Sequence, residues 1–215
     1  VDQITYHSSP EFVDIDNDGD LDAFIGENGG RFFYYENIGT ILDPQFTTRV
    51  INPFGLTDIG DYSEPNFVDI DGDGDLDVFV GSSTGVLKYF ENIGTALKPE
   101  FSAAEDLPFG LTDIGGHGHP EFADLDNDGD LDAFVINYYS DKVFYFENTG
   151  SFEAPSFAAV ELNPFGLTGI AVNNHSSLDF ADLDNDGDLD AITGSQGGWT
   201  YYQENIGTAF LPQFT

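Results

Sequence analysis

The chain has 215 residues with 40 acidic and 5 basic side chains, giving a formal net charge of −35 at neutral pH. This charge argues against nucleic acids and anionic membrane surfaces as partners. Apolar residues make up 40%, enough for a packed core; cysteine is absent, which excludes disulfides, and no apolar run approaches the roughly 18 residues of a membrane span.

The first predicted elements are four short strands that occupy the N-terminal quarter of the chain. Strands A, B, C and D are predicted at about residues 11–15, 21–26, 31–36 and 45–51. Each segment is rich in β-branched or aromatic residues and is bounded by turn-forming residues, and none shows a helical period. This pattern predicts an all-β unit.

An acidic segment joins strands A and B, and it occurs four times. The first copy reads Asp14-Ile-Asp-Asn-Asp-Gly-Asp-Leu-Asp22, and the copies begin 55, 55 and 58 residues apart. Gly19 allows a sharp turn, Asn17 tolerates left-handed backbone, and Leu21 is expected to anchor the segment to the core. Oxygen-only ligands without nearby His or Cys favour Ca²⁺.

The segments therefore predict four calcium sites. The first, third, fifth and ninth residues would offer carboxylates, while the seventh would offer its backbone carbonyl and turn its side chain toward water. The predicted metal-site residues are Asp14, Asp16, Asp18, Asp20, Asp22, Asp69, Asp71, Asp73, Asp75, Asp77, Asp124, Asp126, Asp128, Asp130, Asp132, Asp182, Asp184, Asp186, Asp188 and Asp190.

The acidic segment has three alternative interpretations. An EF-hand requires Glu at the twelfth position and helices on both sides, but that position holds Ile25, Val80, Val135 and Thr193. Magnesium prefers to keep several waters in a strict octahedron, which fits a dense protein cage less well. A merely solvated acidic turn would not require glycine at the same place in all four copies.

Further repeated segments complete each unit of about 50 residues. Glu36-Asn-Ile-Gly-Thr40 recurs in every unit, reading Glu-Asn-Thr-Gly-Ser in the third. Asn52-Pro-Phe-Gly-Leu-Thr57 occurs in three units, with Leu107 in place of the asparagine in the second, and a Pro-x-Phe segment recurs near the start of strand D. Four strands per unit are typical of a β-propeller blade. The repeats cover approximately residues 1–55, 56–110, 111–166 and 167–215. The last lacks most of its outer strand, so further blades or a second chain are expected to complete the array.

These units resemble FG-GAP/VCBS-type repeats, and the acidic segments resemble the calcium loops of integrin α-subunit propellers. The resemblance covers nearly the whole chain. It implies that each acidic segment joins strands A and B on the outer part of one face, and that its ion has a structural role. The Phe and Tyr residues of strands A to C are then expected to pack blade against blade.

The opposite face is the predicted ligand face. It would carry the B–C turns at residues 27–30, 82–85, 137–141 and 195–198, and the connections at 55–65, 110–120 and 166–178. The 137–141 turn is one residue longer than its counterparts, and the 169–177 segment is part of a connection that is two residues longer. Tyr138, Tyr139 and Trp199 are candidates there for contacts with a sugar or with a protein edge, the alternative being neutral variation in exposed loops.

Histidines form a further candidate site. His7, Tyr62, His117 and His175 share one register position before strand A. In a ring these positions would approach the central channel, where histidines could bind a transition metal. The alternative is that each side chain caps its own strand. All three histidines are also candidate ligand-binding residues.

The sequence favours a binding or adhesion module, secreted or on the cell surface, because calcium is abundant there. A lectin is the alternative, and a polysaccharide-degrading enzyme module is a third hypothesis. No nucleophile elbow, zincin motif or phosphate loop is present, so no catalytic residue is predicted. The expected partner is a protein or a glycan on the face opposite the calcium loops.

Overall fold

The computed structural model of the protein describes residues 7–140, 142–167, 176–195 and 197–215. Four features named above fall outside these ranges: His175, Asp141, position 196 of the last B–C turn, and most of the longer 169–177 segment. The described residues form short strands joined by turns, and the helical segments among them are single 3₁₀ turns at Pro53–Gly55, Pro108–Gly110 and Pro164–Gly166.

Antiparallel strands follow one another in the sheets in chain order. The first two repeats contain β1 (Ser9–Val13), β2 (Asp22–Gly26), β3 (Phe32–Tyr35), β4 (Val50–Ile51), β5 (Glu64–Val68), β6 (Asp77–Gly81), β7 (Lys88–Phe90) and β8 (Glu105–Asp106). The last two contain β9 (Gly118–Ala123), β10 (Asp132–Asn137), β11 (Val143–Phe146), β12 (Glu161–Leu162), β13 (Ser176–Ala181), β14 (Asp190–Ser195) and β15 (Thr200–Gln203).

The sheet orders are β1-β2-β3-β4, β5-β6-β7-β8, β9-β10-β11-β12 and β13-β14-β15. They confirm the predicted all-β architecture of four antiparallel blades of the β-propeller type. Each blade places its A–B and C–D turns at one end and its B–C turn at the other, because consecutive antiparallel strands alternate in direction.

Strand D is much shorter than predicted. Residues 45–51 were expected to form it, but the ladder contains only Val50–Ile51, and Phe46 forms an isolated bridge with Asn37. Val50 and Ile51 are exposed on both faces, so the outer edge has little apolar surface to bury. Strand A ends at Val13, earlier than expected, because Asp14 accepts hydrogen bonds from the following turn.

The chain divides into two compact units. Unit 1 comprises residues 1–83 and 87–108, and unit 2 comprises residues 84–86 and 109–215. Each has its own apolar core. In unit 1 the ring of Phe24 on β2 lies 4.5 Å from that of Phe67 on β5, and in unit 2 Phe134 lies 4.7 Å from Phe180. The strand aromatics therefore join neighbouring blades within each unit, as expected.

The Pro-Phe-Gly turns fasten one blade to the next within a unit. In unit 1 the Phe101 amide donates to the Phe54 carbonyl at 2.7 Å. Phe54 has left-handed backbone with φ of 55°, and a Cβ on Gly55 would lie 2.8 Å from the Phe101 carbonyl oxygen. The repeated Pro-Phe-Gly and Pro-x-Phe segments are thus two halves of one contact.

None of the helical segments in the described ranges has the length and apolar character that crossing a bilayer would require.

Candidate functional site

Three aspartates converge in every acidic loop. In the first loop, carboxylate oxygens of Asp14, Asp16 and Asp18 lie within 4.8 Å of one another, and the corresponding trios recur in the other three loops. Among the described residues these four trios are the groups of three or more acidic, His or Cys side chains close enough to hold a metal ion. The sites therefore offer oxygen ligands only, which suits a hard cation.

Backbone geometry curls each loop around its own carboxylates. The amides of Asp18 and Gly19 donate to the two Asp14 oxygens at 3.0 and 3.1 Å. Asn17 has φ of 55° and Gly19 has φ of 98°. A Cβ on Gly19 would meet nothing within 4 Å, so glycine is required there by the backbone conformation and not by lack of space.

The seventh residue of the loop differs from the expectation that its side chain faces water. Asp20 is about nine-tenths buried, and its Oδ1 has no hydrogen-bond partner. The same oxygen is buried without a partner in each of the other loops, in Asp75, Asp130 and Asp188. A buried carboxylate oxygen without a donor is costly. A cation in the loop would remove that cost.

Several loop carboxylates have raised pKa values, as expected where negative charges crowd together. Partial burial, followed by the neighbouring carboxylates, raises the pKa of Asp16, and the same causes raise the pKa of Asp71 and Asp126. Burial raises the pKa of Asp75 to about 6, with repulsion from Asp73 next in importance. Each shift opposes ionisation, and a bound divalent cation would reverse it.

The ninth residue lies outside the trio and is held by the blade itself. The Tyr34 hydroxyl donates to Asp22 Oδ2 at 2.9 Å, and the Asn37 amide donates to Oδ1 at 2.7 Å. Burial raises the pKa of Asp22 to about 6 although both hydrogen bonds lower it. Each of its oxygens keeps a second lone pair, so Asp22 can connect the loop to the blade and still face an ion.

Three of the four loops are anchored by their second residue. Leu21 was expected to anchor the first loop but is half-exposed, whereas Ile15 is buried in the core of unit 1. The counterparts of Ile15 in the second and third loops are buried as well, but Leu183 of the last loop is 49% exposed. Leu76 and Leu189 do pack against their cores, so the expectation holds in those two loops. Ile15 lies two residues beyond the end of strand A, so its burial holds the start of the loop against the core.

The model of the FG-GAP-like repeat family matches residues 14–80, 69–135 and 124–193. The chain belongs to the FG-GAP-like repeat family. Each match runs from one acidic loop into the next blade, so the loop and the blade recur together. No curated protein is similar to the chain in sequence.

Solved structures that share the fold of this FG-GAP-like repeat protein include a lectin and a toxin pore. An Agrocybe aegerita lectin, described for specific recognition of non-reducing terminal N-acetylglucosamine, is 19% identical with a TM-score of 0.56. The match covers 97% of this chain and 50% of the lectin chain. The Photorhabdus luminescens Tc holotoxin pore is 18% identical with a TM-score of 0.51, over 90% of this chain and 9% of that one. At such identities the likeness concerns the fold alone.

The structure assigns roles to two residue types that the sequence did not single out as part of the site. Asn37 and Tyr34 hold Asp22, and their counterparts hold the ninth residue of the other loops. Asn37 Oδ1 also accepts hydrogen bonds from the amides of Gly39 and Gln45 at 3.1 and 2.8 Å. The Glu-Asn-x-Gly repeat was the available signal, but a spacing does not reveal which carboxylate the asparagine meets.

An aromatic cluster lies on the predicted ligand face in unit 2. The ring of His117 lies 4.9 Å from that of Tyr138 and 5.6 Å from that of Tyr139, and the two tyrosine rings are 4.7 Å apart. Asn137 fixes this turn: its Oδ1 accepts the Tyr139 amide and its Nδ2 donates to the Ile114 carbonyl. Tyr139 remains 66% exposed, so much of its side chain is open to solvent.

The other candidate ligand residues are separate from this cluster. Trp199, on the B–C turn of the last blade, is 60% exposed, and no ring contact among the described residues includes it. His7 packs on Tyr62 with ring centroids 5.4 Å apart in unit 1. The metal-capable groups in the described ranges contain no histidine, and His175 lies outside those ranges, so the transition-metal hypothesis stays a prediction.

Proposed function

We propose that this FG-GAP-like repeat protein is a calcium-binding module that binds a partner outside the cell and has no chemistry of its own. One observation carries the proposal. In all four repeats, a trio of aspartates lies beside a buried carboxylate oxygen that has no hydrogen-bond partner. Ca²⁺ accepts six to eight oxygens in a flexible shell, which suits this donor set better than the strict octahedron of Mg²⁺.

Calcium would act structurally. In the first loop, Asp14, Asp16, Asp18, Asp20 and Asp22 supply the oxygens, and the bound ion would cancel their mutual repulsion. Since Asp22 is bonded to Tyr34 and Asn37, an ordered loop also steadies strand C and the C–D turn. A ligand at about 100 times its dissociation constant stabilises a fold by about 2.7 kcal/mol per site. Four sites therefore matter on the scale of a domain's net stability, about 5–15 kcal/mol.

Calorimetric titration combined with thermal melting tests this role. We expect four calcium ions to bind and chelation to lower the melting temperature strongly. Asp16→Asn should remove one site, whereas Asp43→Asn, an exposed carboxylate outside the loops, should remove none. A melting curve in excess chelator that matches the curve in millimolar calcium would reject the structural role. Dissociation constants near 10⁻⁴–10⁻³ M would fit an extracellular module.

A glycan is the second candidate partner, and the aromatic cluster favours it. Exposed Tyr139, backed by Tyr138 and His117, offers a ring surface with amides and hydroxyls nearby, which suits the apolar face of a sugar. The fold shared with an N-acetylglucosamine-recognising lectin is consistent with this candidate. A protein edge would use the same residues, so the two partner classes require direct comparison.

Glycan-array binding in calcium distinguishes them. Saturable binding that is lost in Tyr139→Ala, but kept in Tyr201→Ala at an exposed tyrosine outside the cluster, would support the glycan candidate. Trp199→Ala shows whether the last blade contributes. Failure to bind any glycan, together with a protein partner whose binding depends on Tyr139, would favour the adhesion module.

A further inference from the structure

Each Pro-x-Phe phenylalanine is the receiving half of a contact between blades, and three of the four are covered. The amides of Phe101, Phe157 and Phe214 donate to the carbonyls of the Pro-Phe-Gly phenylalanines Phe54, Phe109 and Phe165 at 2.7, 2.8 and 2.9 Å. The three receiving side chains are only 4%, 6% and 5% exposed. We call each receiving phenylalanine with its backbone amide a seat. A Pro-Phe-Gly turn occupies this seat in three repeats, once within unit 1 and twice within unit 2.

Phe46 holds the same position in the first repeat but is not covered. It bridges to Asn37, just as Phe101 bridges to Asn92, so the two seats have identical register. Phe46 is nevertheless 44% exposed, and no hydrogen bond within the described ranges reaches its amide. The bridge that positions Phe46 is therefore formed, but no turn within the described part of the chain offers a carbonyl to its amide.

The neighbouring strand shows the same contrast. Phe12 on β1 is 60% exposed, whereas its counterpart Phe67 on β5 stacks on Phe24 of the preceding blade at 4.5 Å. In the other three repeats the A-strand phenylalanine and the receiving phenylalanine lie 6.4 to 6.5 Å apart between ring centroids. Phe12 and Phe46 thus belong to one apolar surface, which we name the Phe46 socket.

The three occupied seats define what the socket accepts. The left-handed backbone of Phe54 turns its carbonyl toward the receiving amide, and Gly55 follows with φ of 95°. A Cβ at Gly55, Gly110 or Gly166 would come within 2.8 to 2.9 Å of the receiving carbonyl oxygen. Only glycine fits so close to a backbone oxygen. The seat therefore selects a Pro-Phe-Gly turn over other apolar segments.

We propose that the Phe46 socket binds the Pro-Phe-Gly turn of another FG-GAP-like repeat, supplied from outside the residues that the structure describes. The incoming carbonyl would accept the Phe46 amide, and the blade that carries the turn would cover Phe12. The proposal rests on the contacts of the Pro-Phe-Gly turns alone, so it does not depend on either partner discussed above.

Amide hydrogen exchange tests the socket directly, with a synthetic peptide of the protein's own residues 50–58 as the probe. In dilute protein with calcium, we expect the Phe46 amide to exchange much faster than the Phe101 amide. Saturating peptide should slow exchange at Phe46 by at least about tenfold and leave Phe101 unchanged. The matched control peptide carries Gly55→Ala and should give no protection, because its Cβ would strike the receiving carbonyl.

Each outcome decides the proposal. A Phe46 amide as slow as Phe101 in dilute protein, or one unchanged by millimolar peptide, would overturn it, as would equal protection by the control peptide. Protection that grows with protein concentration alone would support the socket and identify a second copy as its occupant. The Phe46→Ser variant should lose peptide-dependent protection while keeping its melting temperature, whereas Phe101→Ser, at an occupied seat, should melt earlier.

Discussion

One tyrosine hydroxyl in each blade holds the last carboxylate of the acidic loop, and its burial differs between blades. The Tyr89 hydroxyl donates to Asp77 at 2.8 Å and its ring is 5% exposed, whereas the Tyr202 hydroxyl donates to Asp190 at 3.0 Å from a ring that is 48% exposed. Both carboxylates are buried, but Asp190 Oδ2 also accepts a hydrogen bond from the Leu183 backbone amide at 3.3 Å, so it keeps a donor when the tyrosine hydroxyl is lost. The tyrosine hydroxyl should therefore contribute more to the free energy of unfolding in the second blade than in the last.

Removal of the hydroxyl tests this difference. Tyr89→Phe should lower the free energy of unfolding by about 1–3 kcal/mol, because a buried carboxylate oxygen loses its donor. Tyr202→Phe should cost clearly less, since the Leu183 amide still donates to Asp190 Oδ2. Urea unfolding of both variants in calcium measures the two effects. Equal losses would show that the Leu183 amide does not replace the tyrosine hydroxyl.

Glycine is required for different reasons at two positions of the connection after strand D. One position needs glycine only for its backbone conformation, and the other also needs it because a neighbouring backbone atom is close. Gly55 and Gly60 have similar φ values of 95° and 89°, but a Cβ would meet the Phe101 oxygen at Gly55 and nothing within 4 Å at Gly60. Gly60→Ala should therefore cost only the left-handed penalty, about 1–2 kcal/mol. Gly55→Ala should cost more, because the turn must move off Phe101. Chemical denaturation compares them, and the reverse order would contradict the assigned contact.

At the scale of elements, the C–D turn and the acidic loop are joined by the hydrogen bonds of one asparagine. Asn92 donates its amide to Asp77 at 2.7 Å, while its Oδ1 accepts the amides of Gly94 and Glu100, both at 3.1 Å. One side chain therefore closes the turn across eight residues, and its own backbone fixes the loop carboxylate. Order in either segment is expected to support the other.

Asn92→Ala should open this turn without unfolding the blade. We expect faster hydrogen exchange at the amides of Gly94 and Glu100, since both lose their acceptor, while the strand amides of β6 stay protected. The equivalent amides of Gly39 and Gln45 in the first blade serve as the internal control and should not change. Unchanged exchange in the second blade would show that the backbone alone holds the turn.

Features that recur in every repeat were predicted correctly from the sequence, whereas features that depend on the surroundings of one strand or side chain were not. Strands B and C, the blade count and the left-handed Asn17 followed from composition and period. The short strand D did not, because an edge strand is set by what covers it and not by its own propensity. The burial of Asp20 was also missed, since a loop motif shows which side chains are acidic but not which way each one points.

At the scale of the whole molecule, repulsion among the negative charges lowers the stability that burial of the two apolar cores provides. Forty acidic residues face five basic ones, and half of the acids lie in the four loops. Four bound Ca²⁺ would change the formal charge from −35 to −27. Much of the repulsion is thus concentrated where the proposed ions would sit, so calcium and ordinary salt should relieve it to different degrees.

Salt dependence of the melting temperature tests this balance. In excess chelator, raising NaCl from about 0.01 M to about 0.15 M shortens the screening length from about 30 Å to about 8 Å. We therefore expect a rise in melting temperature, because screening weakens repulsion among the clustered carboxylates. In millimolar calcium the same step should have a smaller effect, since the densest clusters are already neutralised at short range. A calcium-free melting temperature that is independent of salt would mean that carboxylate repulsion does not limit the stability of the fold.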